Sequence, residues 1–150
     1  MRRRSRKRQA ALDDRPAVRD VSEDRRATVG SSDVSFQTFV SRLPCVVCLG
    51  HTLGGDPCHR LARRRWGDWL EVDGELVGNL FPACRAHHRE QHDRGIETFA
   101  RAHGLDLAVI CTVVGRAYLD GWSVDGLGTA ARAGYEAVDL TDVRDGGLPF

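Results

Sequence analysis

Three of the chain's six histidines and one of its five cysteines fall within nine positions, the stretch CRAHHREQH from Cys84 to His92. A packed core gains nothing from such a cluster, because each imidazole brings two ring nitrogens that need partners. The arrangement makes chemical sense if these groups face metal ions. Upstream, Cys45 and Cys48 stand in CVVC with Gly50 following, and two thiolates at that spacing on a tight turn can reach one ion. Cys84 and His87 supply a matching CxxH pair on the first turn of a helix. Together the four make a tetrahedral Cys3His set, the closed form typical of structural zinc. An ion there ties the 35 residues between Cys48 and Cys84 into a loop. Structural zinc in small motifs contributes about 10–16 kcal/mol of apparent binding energy. The plain alternative, free cysteines beside a surface histidine, leaves two paired half-sites unexplained.

His88 and His92 are four apart and share one face of the same helix. His87 lies about 100° round from His88 on a 3.6-residue period, so one helix can serve two ions. The segment GGDPCHRL (54–61) adds Asp56, Cys58 and His59, and Asn79 stands five residues before Cys84. Cys58 is also an alternative fourth zinc ligand in place of His87. His51 and His103 read as surface or capping residues, and Cys111 as core.

The elements that must position these groups are short. SFQTFVSRL (35–43) predicts a small helix packing Phe36, Phe39 and Val40. WLEVDGELV (69–77) reads as a hairpin, two β-prone runs around Asp73-Gly74, a type I′ turn signal. NLFPAC (79–84) is an extended entry into a helix running from about Cys84 to Asp93, with Gly95 as its stop. IETFARAHG (96–104) is a further helix ended by Gly104. LDLAVICTVVGRAYL (105–119) reads as a buried helix capped by Asp106, and 123–140 as a helix weakened by three glycines. Helices together with a hairpin make the class α+β.

Charge divides the chain. Residues 1–26 carry ten Arg/Lys against five Asp/Glu (+5), residues 27–103 nine of each (0), and residues 104–150 three against seven (−4). The basic charge is arginine except for Lys7. Residues 1–34 have few apolar groups and no period, and read as a disordered basic tail. The expected organisation is that tail, a domain over 35–104, and a C-terminal helical extension with a loose tail over 105–150. No run approaches the roughly 20 apolar residues that span a bilayer, and no apolar stretch follows the charged start. Five cysteines without an export signal favour metal over disulfides, so the expected compartment is the cytoplasm.

CxxC at 45–48, then His59, then NLFPACRAHH at 79–88 resembles the HNH endonucleases, most of all the compact phage and prophage members. Their helix continues as CxxHHxxxH followed by a phenylalanine, matched here by Cys84, His87, His88, His92 and Phe99. The resemblance covers about 45–104. It implies a small ββα-metal, treble-clef-like zinc domain with flanking helices, in a bacterial or phage-infected cell. It also implies a histidine, His59, that opens a strand and acts as general base on the attacking water. Asn79 would hold the loop and orient His59 by hydrogen bonding. His88 and His92 would hold one divalent ion, Mg2+, Mn2+, Ni2+ or Zn2+, on the scissile phosphate, leaving a 5′ phosphate. Neutral imidazole is a suitable base near pH 7.

One position departs from the family. The residue before the base is often Asp or His and binds the catalytic metal; here it is Cys58, whose thiolate would favour a softer ion. Asp56 reaching in, or an ion held by two histidines and water, are the alternatives.

RLARRRW places Arg60, Arg63, Arg64 and Arg65 just after His59, a candidate clamp on DNA phosphates. RRRSRKR at the N-terminus is a second candidate contact. No helix-turn-helix pattern is present, so low sequence specificity is expected, and a double-strand cut by one small site calls for a homodimer. The competing readings are a zinc-stabilised DNA-binding module without chemistry, and a partner-binding protein using its acidic C-terminal helices.

Overall fold

A computed structural model describes residues 19–20, 35–49 and 55–140. The described chain is α+β: short helices around two small antiparallel sheets. Helix α1 (Phe36–Ser41) starts at Ser35, whose Oγ accepts from the Thr38 N–H at 3.3 Å, and it buries Phe36, Phe39 and Val40. A turn then carries Cys45 and Cys48. It is closed by Leu49 N–H donating to the Cys45 carbonyl at 2.9 Å and tied to the second half-site by Val46 N–H donating to Pro82.

Strand β2 (Asp56–His59) pairs with β5 (Leu80–Ala83), Asp56 opposite Ala83 and His59 opposite Leu80. His59 therefore closes a strand, where the expectation had it opening one. Between them lie a one-turn helix, α2 (Arg63–Trp66), and the hairpin of β3 (Trp69–Val72) and β4 (Glu75–Gly78). The hairpin turns on Asp73 (φ 50°) and Gly74 (φ 81°), the two positive φ values that a type I′ turn requires. Helix α3 (Arg85–Arg94) follows β5, with Cys84 at its N-cap and Gly95 at its end. Helix α4 (Ile96–His103) stops at the left-handed Gly104, and α5 (Leu107–Leu119) is capped by Asp106, whose carboxylate accepts from Val109 N–H.

Three further features differ from the sequence reading. Arg19 and Asp20, inside the stretch read as a disordered tail, form β1 on the free edge of β3, where unpaired backbone groups can accept a strand. The rest of that stretch, His51 and the tail beyond residue 140 lie outside the described residues. The helix expected over 123–140 is broken. Helix α6 (Val124–Ala130) gives way to two 3-10 turns, Ala131–Ala133 and Tyr135–Ala137, split by Gly134 at φ 115°.

The third concerns the boundary at residue 104, which does not separate two cores. Phe36, Trp69, Phe81, Phe99, Ile110, Val114 and Leu127 belong to one buried cluster. Helix α5 crosses β4 at a glycine pair: a Cβ on Gly115 would lie 2.7 Å from Gly78 N and 2.8 Å from Gly78 Cα. Cys111 is wholly buried there, as expected of a core residue. Among the described residues no single helix is long and apolar enough to cross a membrane.

Candidate functional site

Two half-sites from opposite ends of the loop meet. Cys45 and Cys48 come from the turn after α1, and Cys84 and His87 from the first turn of α3. His87 Nδ1 lies 3.4 Å from Cys45 Sγ, 3.4 Å from Cys48 Sγ and 3.1 Å from Cys84 Sγ, and Cys48 and Cys84 are 3.9 Å apart. Zinc bonds of about 2.3 Å to sulfur and 2.0–2.1 Å to nitrogen give tetrahedron edges of about 3.5 Å (S to N) and 3.8 Å (S to S). The four donor atoms thus already stand close to the corners of such a tetrahedron, and the cluster can hold a metal ion such as zinc. At Cys84 burial raises the thiol pKa, but the His87 N–H and the Cys48 side chain outweigh it, so the thiol ionises below its ordinary value. A helix N-terminus favours a cysteine ligand as its thiolate.

Two further side chains stand beside His87, and the His103 ring packs edge-on against it. Glu90 and His103 each offer a donor atom within 4.8 Å of a ring nitrogen of His87 and of one another. His103 Nε2 is 3.1 Å from both Glu90 oxygens, and Arg94 adds a 2.8 Å bond to the same carboxylate. His103 lies at the end of α4, where the sequence suggested only a surface or capping role.

The opposite face of α3 borders a cleft of about 520 Å³, lined by His59, Arg60, Arg63, His88, Gln91 and His92 among others. His88 and His92 approach through their Nε2 atoms to 3.0 Å, as two ligands of one ion would. The other nitrogen of His88, Nδ1, is 2.9 Å from Asp56 Oδ2. A carboxylate behind a histidine fixes its tautomer and leaves Nε2 free for a metal. Asp56 therefore stands behind the site, not inside it.

Cys58 is not part of either cluster. It is buried and its thiol reaches the Asp56 carbonyl at 3.6 Å. Burial and the Asp56 charge push its pKa up to about 12, as burial and the neighbouring cysteines do at Cys48. Cys58 lies outside the four-donor cluster and outside the cleft lining, so the geometry supports neither role considered for it, ligand of the catalytic ion or replacement for His87. In the β2–β5 register it sits opposite Phe81, facing the core.

His59 Nε2 is 2.8 Å from Asp68 Oδ1, and Asp68 Oδ2 accepts from Gln37 at 2.7 Å. Asn79 was expected to hold the loop and orient His59 by hydrogen bonding; its amide bonds to the loop and not to His59. The Oδ1 accepts from Leu61 N–H at 2.9 Å, and Nδ2 donates to the carbonyls of Leu61 (3.0 Å) and Gly67 (2.8 Å). Asn79 is fully buried and staples the loop that carries α2. Of the four arginines, Arg60 and Arg63 line the cleft. Arg60 Nε is buried without a hydrogen-bond partner among the described residues. Arg65 instead stacks on Trp66, 5.0 Å from the ring centre, and Arg64 does not line the cleft.

Sequence reasoning missed Asp68, Gln37 and Glu90. Each meets its partner across 9 to 31 positions, and no local spacing announces such a contact. No family model, no curated protein and no solved structure matches the chain, so its chemistry is read from these residues alone.

Proposed function

We propose that this protein is a metal-dependent DNA endonuclease of the HNH type, with β2, β5 and α3 forming its ββα-metal, treble-clef-like unit. The observation that carries the reading is the convergence on one cleft of an imidazole held by a carboxylate, His59, and a histidine pair with a carboxylate behind it, His88 and His92. The chemistry that a divalent ion on His88 and His92 supplies is charge neutralisation at the phosphoryl oxygens and the leaving 3′ oxygen. His59 takes the proton of the attacking water. Arg60 and Arg63 hold the phosphate backbone. Cys45, Cys48, Cys84 and His87 hold zinc that fixes α3 against the turn after α1. Two imidazole ligands suit Ni2+ or Zn2+ better than Mg2+ or Mn2+.

The competing reading is a zinc-stabilised DNA-binding module of the same fold without catalysis. Its support is the donor count: Cys58 is withdrawn, so among the described residues His88 and His92 alone offer the cleft ion a side-chain ligand. Protein carrying one tight zinc, given Mg2+, Mn2+, Ni2+ or Zn2+ and supercoiled plasmid, separates the two. Nicking that needs the added ion and leaves 5′ phosphates is the expected result. Binding without nicking under any ion would establish the module, and no affinity for DNA at low salt would contradict both.

A further inference from the structure

We propose that Asp68 is the positioning residue of His59, holding the proton on Nε2 so that Nδ1 presents its lone pair to the cleft. This deepens the hydrolytic reading above and rests on His59 being its base. A carboxylate oxygen only accepts, so at 2.8 Å from Asp68 Oδ1 the His59 Nε2 must carry the hydrogen. Nδ1 is then the basic nitrogen, and it has no protein partner among the described residues. Both side chains are about four-fifths buried, 18% and 20% exposed, so water competes weakly for the bond.

Asp68 is itself held from three sides. Its second oxygen accepts from Gln37 on α1. Its carbonyl accepts from Asn79 N–H at 2.8 Å, and the carbonyl of the residue before it accepts from the Asn79 side chain at 2.8 Å. That preceding residue is Gly67 at φ 64°, a conformation that turns the chain from α2 back toward His59 and that side chains other than glycine rarely adopt. The buried Asn79 thus acts on His59 at one remove, by fixing the Gly67-Asp68 backbone. In the reaction, the water O–H bond breaks as its oxygen bonds to phosphorus, and the proton goes to Nδ1. The 3′ oxygen leaves with its electron pair and is protonated by solvent. The imidazolium that forms is stabilised by the Asp68 carboxylate, which does not itself take the proton.

The test uses the full-length, zinc-loaded protein labelled with 15N. Wild type should show a slowly exchanging, hydrogen-bonded ring Nε2–H resonance, assigned by its disappearance in His59→Gln. Asp68→Ala should lose that resonance with zinc content unchanged. It should also lower kcat for nicking at least 10-fold, though by no more than the roughly 10²–10⁴-fold that a general base supplies. Formate, entering the space left by the carboxylate, should restore part of both. If Asp68→Ala does not fold, the isosteric Asp68→Asn serves, with at least a 10-fold loss of kcat expected at unchanged zinc content. A ring resonance that survives in Asp68→Ala, or an Asp68 variant that nicks at the wild-type rate while His59→Ala does not, would overturn the proposal and leave the nuclease reading standing. Loss of the resonance and its return with formate, in a protein whose wild type nicks nothing, would uphold the positioning and remove the nuclease.

Discussion

Asp56→Ala isolates what the carboxylate behind His88 contributes to the ion binding proposed for the cleft. The bond it removes joins Asp56 Oδ2 to His88 Nδ1 at 2.9 Å, and the same oxygen lies 3.4 Å from the exposed Arg85 guanidinium. A hydrogen bond to a charged group is worth about 1.5–3 kcal/mol. At about 1.4 kcal/mol per factor of ten, that is about 10- to 100-fold in affinity. Asp56 is 30% exposed and shares its charge with Arg85, so screening places the effect in the lower half, about 10- to 30-fold. Isothermal titration of the zinc-loaded protein with Ni2+ or Mn2+ reads this directly, and zinc retention serves as the control. The expected outcome is weaker binding of the added ion with one zinc still bound per chain. Unchanged affinity would refute a supporting role for Asp56, and loss of the zinc would refute the separation of the two sites along α3.

Other perturbations test other parts of the account. Glu90→Gln removes the charge that His103 and Arg94 share beside His87, and zinc affinity measured against a competing chelator should fall about 10-fold. Zinc should be lost as pH falls, because protons compete for the cysteines and His87; Cys84 ionises below its ordinary value and should hold on longest, so Cys84→Ser should release zinc at a higher pH than wild type. Gly115→Ala drives a Cβ to within 2.7 Å of Gly78 N; overpacking of about 1–3 kcal/mol exceeds the roughly 1 kcal/mol gained in helix propensity, so thermal unfolding should come earlier. Arg60→Ala with Arg63→Ala should reduce the salt dependence of DNA binding by a slope of about 2, measured by anisotropy between low and moderate salt.

The parts legible in the sequence were those coded by short spacings. CVVC and CRAH each place two donors within one turn, so the metal cluster could be assembled before any tertiary contact was known. Asp73-Gly74 specified the hairpin because few residues other than Gly, Asn and Asp accept positive φ, and Gly95 and Gly104 marked the helix ends for the same reason. His88 and His92 followed from the helical period. The partner of His59 was not legible, because Asp68 meets it only after the chain has gone through α2 and turned back at Gly67. Cys58 was an uncertain candidate ligand, because its neighbour in sequence lines the cleft while the strand alternation turns Cys58 itself into the core. That residues on both sides of 104 share one core was hidden for a related reason. Helix α5 is apolar on most faces because it fills the centre of one core, with Gly115 against Gly78, a contact that no local pattern specifies.

The most direct test of the account is the nicking of supercoiled plasmid by wild type and His59→Ala, prepared side by side with one zinc per chain and supplied with the same added ion. The account predicts that wild type nicks and leaves 5′ phosphates, while His59→Ala binds the same DNA and the same ion but loses about 10²-fold or more of the rate. Equal rates in the two proteins would contradict it, because His59 would then not be the base.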